Sequence, residues 1–228
     1  MDFLLESLLT AIEQIFALNP DVYNAAWTSI YTSSTAIILA AILGIPAGML
    51  IGIGRYPGRR ATVVILNTMM ALPTVAVGLV IFGFLSRRGP LGFMGMLFTP
   101  YAMIIGQTIL AAPIVAHYTL AALSSADNRI MPTALTLGAS RFRASMTLLM
   151  EIRFAAMAAV IAGFGRIIAE VGIAIMLGGN IKGYTRTMTT AIALETAKGE
   201  FAFGLALGII LLSIALLVNL FLNVLQQR

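Results

Sequence analysis

The chain of 228 residues is 60% hydrophobic and only 10% charged, with a mean hydropathy of +0.98; a soluble domain is about half apolar and about a quarter charged. So much apolar surface cannot be hidden in one soluble core of this length, which excludes an ordinary cytosolic enzyme, a disordered chain and a nucleic-acid binder. The excess of basic over acidic residues is small, there is no cysteine for a disulfide, thiolate metal site or thiol catalysis, and one histidine, His117, cannot form a multi-histidine metal centre within one chain.

Residues 1–18 place Leu4, Leu5, Leu8, Ile12, Ile15 and Phe16 at helical spacing, interrupted by Asp2, Glu6 and Glu13. This pattern predicts an amphipathic helix on the membrane surface, ended by Asn19-Pro20. Its acidic start is unlike the basic start of a secretory signal. A bilayer core of roughly 30 Å requires about 20 helical residues. Charge-free runs cover 22–54, 61–86, 89–126 and 201–227, and the run 154–181 holds only Arg166 and Glu170. Spanning helices are expected at 24–54, 61–86, 100–125, 153–178 and 202–225. Gly89-Pro90-Leu91-Gly92 onward to Thr99-Pro100 has loop chemistry. The runs are too long and too continuously apolar for barrel strands of about 10 alternating residues. The expected fold is an all-α membrane protein with about five transmembrane helices: residues 1–20 form the amphipathic helix and 21–228 the membrane domain.

Five spans put the termini on opposite sides. Arg55, Arg59, Arg60, Arg129, Arg141, Arg143, Arg153 and Arg228 fall on one side, and Arg87, Arg88, Lys182, Arg186 and Lys198 on the other. The larger set is expected to be cytoplasmic, which leaves the N-terminus outside and the C-terminus inside. The five external basic residues are candidates for attracting an anionic cargo or the acidic patch of a binding protein; ordinary loop charge, offset by Glu195 and Glu200, is the alternative.

Small residues recur within the spans. Gly44, Gly48 and Gly52, then Ala155, Ala159 and Gly163, then Gly204 and Gly208, lie four apart and predict close helix approach. Pro46, Pro73 and Pro113 each sit inside a span, where each frees a carbonyl and kinks its helix. Met146, Met150 and Met157 are expected to pack rather than to ligate Cu(I), because no Cys or His accompanies them. His117 reads as a packing residue, with a proton relay as the alternative. Arg166 and Glu170 lie near mid-depth on one face of the fourth span, where an unpaired charge costs roughly 3 kcal/mol or more. The order Arg then Glu is the weaker i,i+4 orientation, so a local pair and a cross-helix partner are equally open; both charges are expected to face the bundle interior, a subunit interface or water, in a purely structural role or as a pathway-lining or gating element.

The longest polar interruption, about 127–146, separates the third and fourth spans. Pro132 fits the first turn of a short helix, Gly138 allows a sharp change of direction, and Thr133, Ala134, Ala139 and Ser140 are small, with Arg141 and Arg143 beside them. This segment resembles the cytoplasmic signature of permease subunits of ATP-binding-cassette importers with a type-1 membrane domain: Glu-Ala-Ala, three residues, Gly, nine residues, then Ile-x-Leu-Pro. Ala134, Gly138 and the Leu137–Ser140 run fit, as do Leu148 and Met150 at the later apolar positions. Pro132 and Thr133 stand where the family has Glu-Ala, and Glu151 where it has the final Pro. The runs 165–172, 178–187 and 189–196, with Leu66–Pro73 and Leu97–Pro100, are similar to tungstate-importer permeases. Molybdate and sulfate permeases share the general layout.

The resemblance implies a multi-pass subunit of the cell membrane that forms a homodimeric pore, served by two cytoplasmic ATPase subunits and an extracytoplasmic oxyanion-binding protein. The segment 127–146 would be the coupling helix. The chain would carry no catalytic residue, metal or cofactor of its own, ATP and Mg being bound by the ATPase; the sequence has no Gly-x-x-x-x-Gly-Lys-Ser/Thr loop. An intramembrane serine hydrolase using Ser33, Ser34 or Ser124 with His117 lacks a Gly-x-Ser-x-Gly elbow. An ion-coupled transporter or channel using Arg166 and Glu170 lacks the expected inverted repeat.

Overall fold

A computed structural model describes residues 2–54 and 56–226; Arg55 and Arg228, both used in the charge count, lie outside the described residues. The described residues form α1 (Asp2–Phe16), α2 (Pro20–Ile53), α3 (Arg59–Met70), α4 (Thr74–Leu85), a 3-10 turn (Gly92–Met94), α5 (Pro100–Ser125), α6 (Ile130–Thr136), α7 (Arg141–Glu151), α8 (Arg153–Ile168), α9 (Gly172–Gly178), α10 (Met188–Ala197) and α11 (Phe201–Gln226). Three helices are long and apolar enough to cross a membrane, at Pro20–Ile53, Pro100–Ser125 and Phe201–Phe221. Two bent pairs, α3 with α4 and α7 with α8, bring the number to five if each is one span.

α2 and α5 form the spine. A Cβ built on Gly44 would stand 2.8 Å from the Ala112 carbonyl oxygen, and one on Gly48 would stand 2.5 Å from that of Ala116. One on Gly52 would meet Leu123 Cδ1 at 2.6 Å. The glycine row therefore lets two backbones approach closely, which lipid alone would not drive. The other rows divide. Ala159 and Gly163 are buried, with Gly163 against Ile37 and Val115, whereas Ala155 is exposed. Gly204 faces Thr196, but nothing lies within 4 Å of the position a Gly208 side chain would take.

The predicted span at 61–86 is not one helix. Pro73 offers no N–H and disfavours helix at Leu72, so α3 ends at Met70, α4 starts at Thr74, and the axis turns by 96°. Pro46 and Pro113 remain inside continuous helices. The predicted span at 153–178 is also interrupted, between Ile168 and Gly172, and α8 is preceded by α7 at a bend of 69°. Met146, Met150 and Met157 are exposed in the single chain rather than packed in its core.

The main core joins Ile37 and Ala40 of α2, Ile81 and Leu85 of α4, Val115 of α5, Ile167 of α8, and Ile173 and Leu177 of α9. A second cluster packs the start of α2 against α10 and α11 through Val22, Ala25, Met188, Ala191 and Leu207. Arg59 donates to the Ile51 carbonyl at 2.8 Å, satisfying one free oxygen at the end of α2. α1 buries Ser7 and Ala11, brings Phe3 to 5.5 Å of the Phe201 ring, and leaves Leu4, Leu5, Leu9 and Phe16 exposed.

Candidate functional site

The two charges of the fourth span meet where the chain is broken. Arg166 Nη1 donates to Glu170 Oε2 at 2.8 Å, with the arginine side chain 50% exposed and the glutamate 4%. Glu170 Oε1 also accepts from the Gly172 N–H at 2.9 Å and the Ile173 N–H at 3.4 Å. The carboxylate thus caps the first turn of α9, which explains locally why α8 does not continue. The Thr189 hydroxyl donates to the Glu170 carbonyl at 3.0 Å and ties the break to α10.

The second helix break lies beside the first. A Cβ on Gly172 would stand 2.9 Å from Val75 Cγ2 and 3.1 Å from both Thr74 Oγ1 and Glu170 Oε1. Only glycine lets the start of α4 approach this closely. Thr74, Gly172 and Thr189 were not readable as neighbours of the ion pair; the one local signal was glycine two residues after an intramembrane glutamate. Glu170 serves three donors and Arg166 one acceptor, so Glu170→Ala is expected to destabilise by about 3 kcal/mol and Arg166→Ala by less. Thermal unfolding of both variants in detergent checks this order.

α8 also walls an open cavity of about 850 Å³ between itself and α5, lined by Tyr118, Ser125, Asp127, Glu151, Ala155 and Ala162 among others. Ala155 and Ala162 lie on the α8 face that continues to Arg166. His117, on α5, has an Nδ1 without a hydrogen-bond partner, and its ring lies 5.6 Å from that of Tyr118.

The polar interruption folds as α6, a turn and α7. Gly138 has φ +86°, a left-handed conformation, and nothing lies within 4 Å of where its side chain would be. Pro132 falls in the first turn of α6, while the Ser140 hydroxyl accepts from the Arg143 N–H at 3.3 Å and caps α7. Pro132, Thr133, Ser140, Arg141 and Arg143 are exposed; Ala134 and Ala139 are partly covered. Leu137 and Phe142, 82% and 75% exposed, flank the turn and add apolar surface that the sequence analysis does not single out. Large apolar groups beside a glycine in a basic loop were the available signal. At the base of the segment the Arg129 guanidinium pairs with Asp127 at 2.9 Å and holds its carboxyl below the usual range.

Of the five basic residues assigned to the other loops, three are ion-paired. Lys182 meets Asp21 at 2.7 Å, so the 179–187 loop and the start of α2 share one end of the bundle. Arg186 and Lys198 both reach Glu195 at 3.1 Å. Arg87 and Arg88, exposed in the turn after α4, form no ion pair among the described residues. Also among the described residues, no group of three His, Cys, Asp or Glu side chains is placed to hold a metal ion.

A family profile, the binding-protein-dependent transport system inner membrane component, matches residues 44–228. The chain is 37% identical to a tungstate uptake system permease of Peptoclostridium acidaminophilum over 228 residues, the full length of both. It is 39% identical to the tungstate uptake system permease of Campylobacter jejuni over 219 residues, 96% of this chain and 92% of that one. The structure is similar to the MetNI methionine ABC transporter in an inward-facing conformation, with a TM-score of 0.77 at 17% identity over 92% of this chain and 97% of that one.

Proposed function

The chain belongs to the family of inner membrane components of binding-protein-dependent transport systems, and from that premise we propose that it is the permease of an ATP-driven tungstate importer. It is a multi-pass, non-catalytic membrane subunit with the all-helical fold of ABC importer permeases. The observation that supports tungstate is the identity of 37% to a tungstate uptake permease across the whole of both chains.

Two copies form the pore, two ATPase subunits bind ATP and Mg, and an external binding protein delivers the oxyanion. The N-terminus is external and α6 with the following turn lies in the cytoplasm, where Leu137 and Phe142 enter a groove of the ATPase and Arg141 and Arg143 fasten the contact. Residues 1–20 lie along the outer membrane surface, and 21–228 form the transport domain. Closing of the ATPase dimer moves the α6–α7 element, and the bend before α8 passes that movement to the helix that carries Arg166.

The test is uptake by the permease, ATPase and binding protein reconstituted in liposomes. Uptake of tungstate that requires ATP supports the reading. Uptake without ATP overturns the importer, and a preference for molybdate or sulfate over tungstate overturns the cargo.

With Lys182, Arg186 and Lys198 ion-paired, the proposed external field rests on Arg87 and Arg88. Exposed charges act over a Debye length of about 8 Å at physiological ionic strength. Neutralising both is expected to slow tungstate uptake about two- to threefold at low salt and to leave it unchanged at high salt. Uptake rates measured across a salt series check this.

A further inference from the structure

We propose that Arg166 contacts the transported oxyanion one helical turn beyond the Ala162 end of the cavity between α5 and α8, and that Glu170 keeps the contact weak enough for release. This rests on the reading of the chain as an oxyanion permease.

The first argument is asymmetry. Arg166 is the only basic residue between 154 and 181, in a segment where charge is costly. Its carboxylate partner is buried, yet the arginine is half-exposed and uses one donor on Glu170. A guanidinium has five N–H donors and suits tetrahedral oxyanions. The remaining donors have no protein partner among the described residues. At this depth an exposed guanidinium needs water or an anion rather than lipid.

The second argument is position. Ala155, Ala162 and Arg166 follow one another at seven and four residues along a single α8 face. The two alanines wall the 850 Å³ cavity, whose other end carries Asp127 and Glu151 beside the α6–α7 element. Arg166 lies one turn, about 6 Å, beyond Ala162. The alanines leave this face of α8 uncovered on the side toward Arg166, and the cavity volume exceeds many times the roughly 30 Å³ of one water.

The third argument is exchange. Glu170 retains the Gly172 and Ile173 N–H donors when Arg166 turns away, so an arriving anion competes for the guanidinium without stranding the carboxylate. An arginine neutralised by its neighbour holds a dianion less tightly than a lone one. Conduction requires binding favourable enough to enter and weak enough to leave.

This chain has no native cysteine, so in the complex reconstituted with ATPase and binding protein a cysteine placed at 166 is the single thiol of each permease copy. Arg166→Cys is expected to lower ATP-driven tungstate uptake about tenfold or more, while the complex still assembles and hydrolyses ATP. Attachment of an aminoethyl thiol reagent, which restores a cation, should recover uptake, and a neutral methyl reagent should not. Where Arg166→Cys does not assemble, Arg166→Lys takes its place and should raise KM for tungstate more than it lowers kcat. The proposal is overturned by wild-type uptake in Arg166→Cys, by a thiol that does not react, by equal recovery with both reagents, or by an unchanged KM in Arg166→Lys. A wild-type complex that moves no tungstate, molybdate or sulfate instead overturns the oxyanion-permease reading, so the two failures are distinguishable.

Discussion

Phe142→Asp is expected to abolish ATP-coupled uptake while leaving the permease folded. Phe142 is exposed at the start of α7, next to the left-handed Gly138 turn, and packs against nothing whose loss would unfold the chain. An apolar anchor at the centre of a protein interface is worth about 2 kcal/mol or more when removed, and a buried, unpaired carboxylate adds to the loss. The ATPase should then bind at least about thirtyfold more weakly. The measurement is affinity of purified ATPase for the permease together with uptake. A variant with native affinity and native uptake removes this turn from the coupling mechanism.

Gly48→Ala should have the largest effect on stability of any single methyl addition in the spine. The added Cβ would fall 2.5 Å from the Ala116 carbonyl oxygen and 2.8 Å from Thr119 Cβ, both on the facing helix. Neither is the end of a flexible side chain, so α2 and α5 must separate along their contact. Overpacking of this kind costs about 1–3 kcal/mol. Gly83→Ala is the control: Gly83 also lies in a helix, but nothing occupies the space within 4 Å of its Cβ position. That substitution should be neutral or stabilise by up to about 1 kcal/mol through helix propensity alone. Thermal unfolding of the two variants in the same detergent should therefore shift in different directions. Equal shifts would mean that the glycine row does not set the α2–α5 distance.

The tertiary structure sorts the glycine and alanine rows into different roles. All three rows have the same spacing, and spacing alone says only that the residues share a helix face. Gly44 and Gly48 touch backbone across a helix pair, Gly208 faces open space, and of two alanines that both line the cavity Ala155 is exposed and Ala159 buried. A similar division separates the cations of the second set of loops. Their assignment to one set of loops followed from the order of the spans, but the pairing of Lys182 with Asp21 joins residues 161 apart in sequence. Arg186 reaches Glu195 because the 179–187 loop folds back on the end of α10, where Lys198 already pairs with Glu195 three residues away. The charge that a passing anion would meet is smaller than the residue count implies.

The membrane class, the helical content and the position of the polar α6–α7 segment were determined by the sequence itself. Each rests on a property summed over twenty or so residues, namely apolar runs matched to bilayer thickness and a long polar gap. The cost of charge in the membrane also marked Arg166 and Glu170, with a local pair and cross-helix partners equally open, and the structure makes them one unit. What only the tertiary structure decided is how that unit is built. Glu170 prefers two backbone N–H groups to a place inside a continuous helix. Gly172 admits the broken start of α4, and α8 turns Ala155 and Ala162 toward an open cavity. Hydropathy could not reveal this, because a helix break within an apolar run costs its backbone hydrogen bonds locally and recovers them from side chains distant in sequence. Those partners are chosen by packing, and packing is a property of the folded chain.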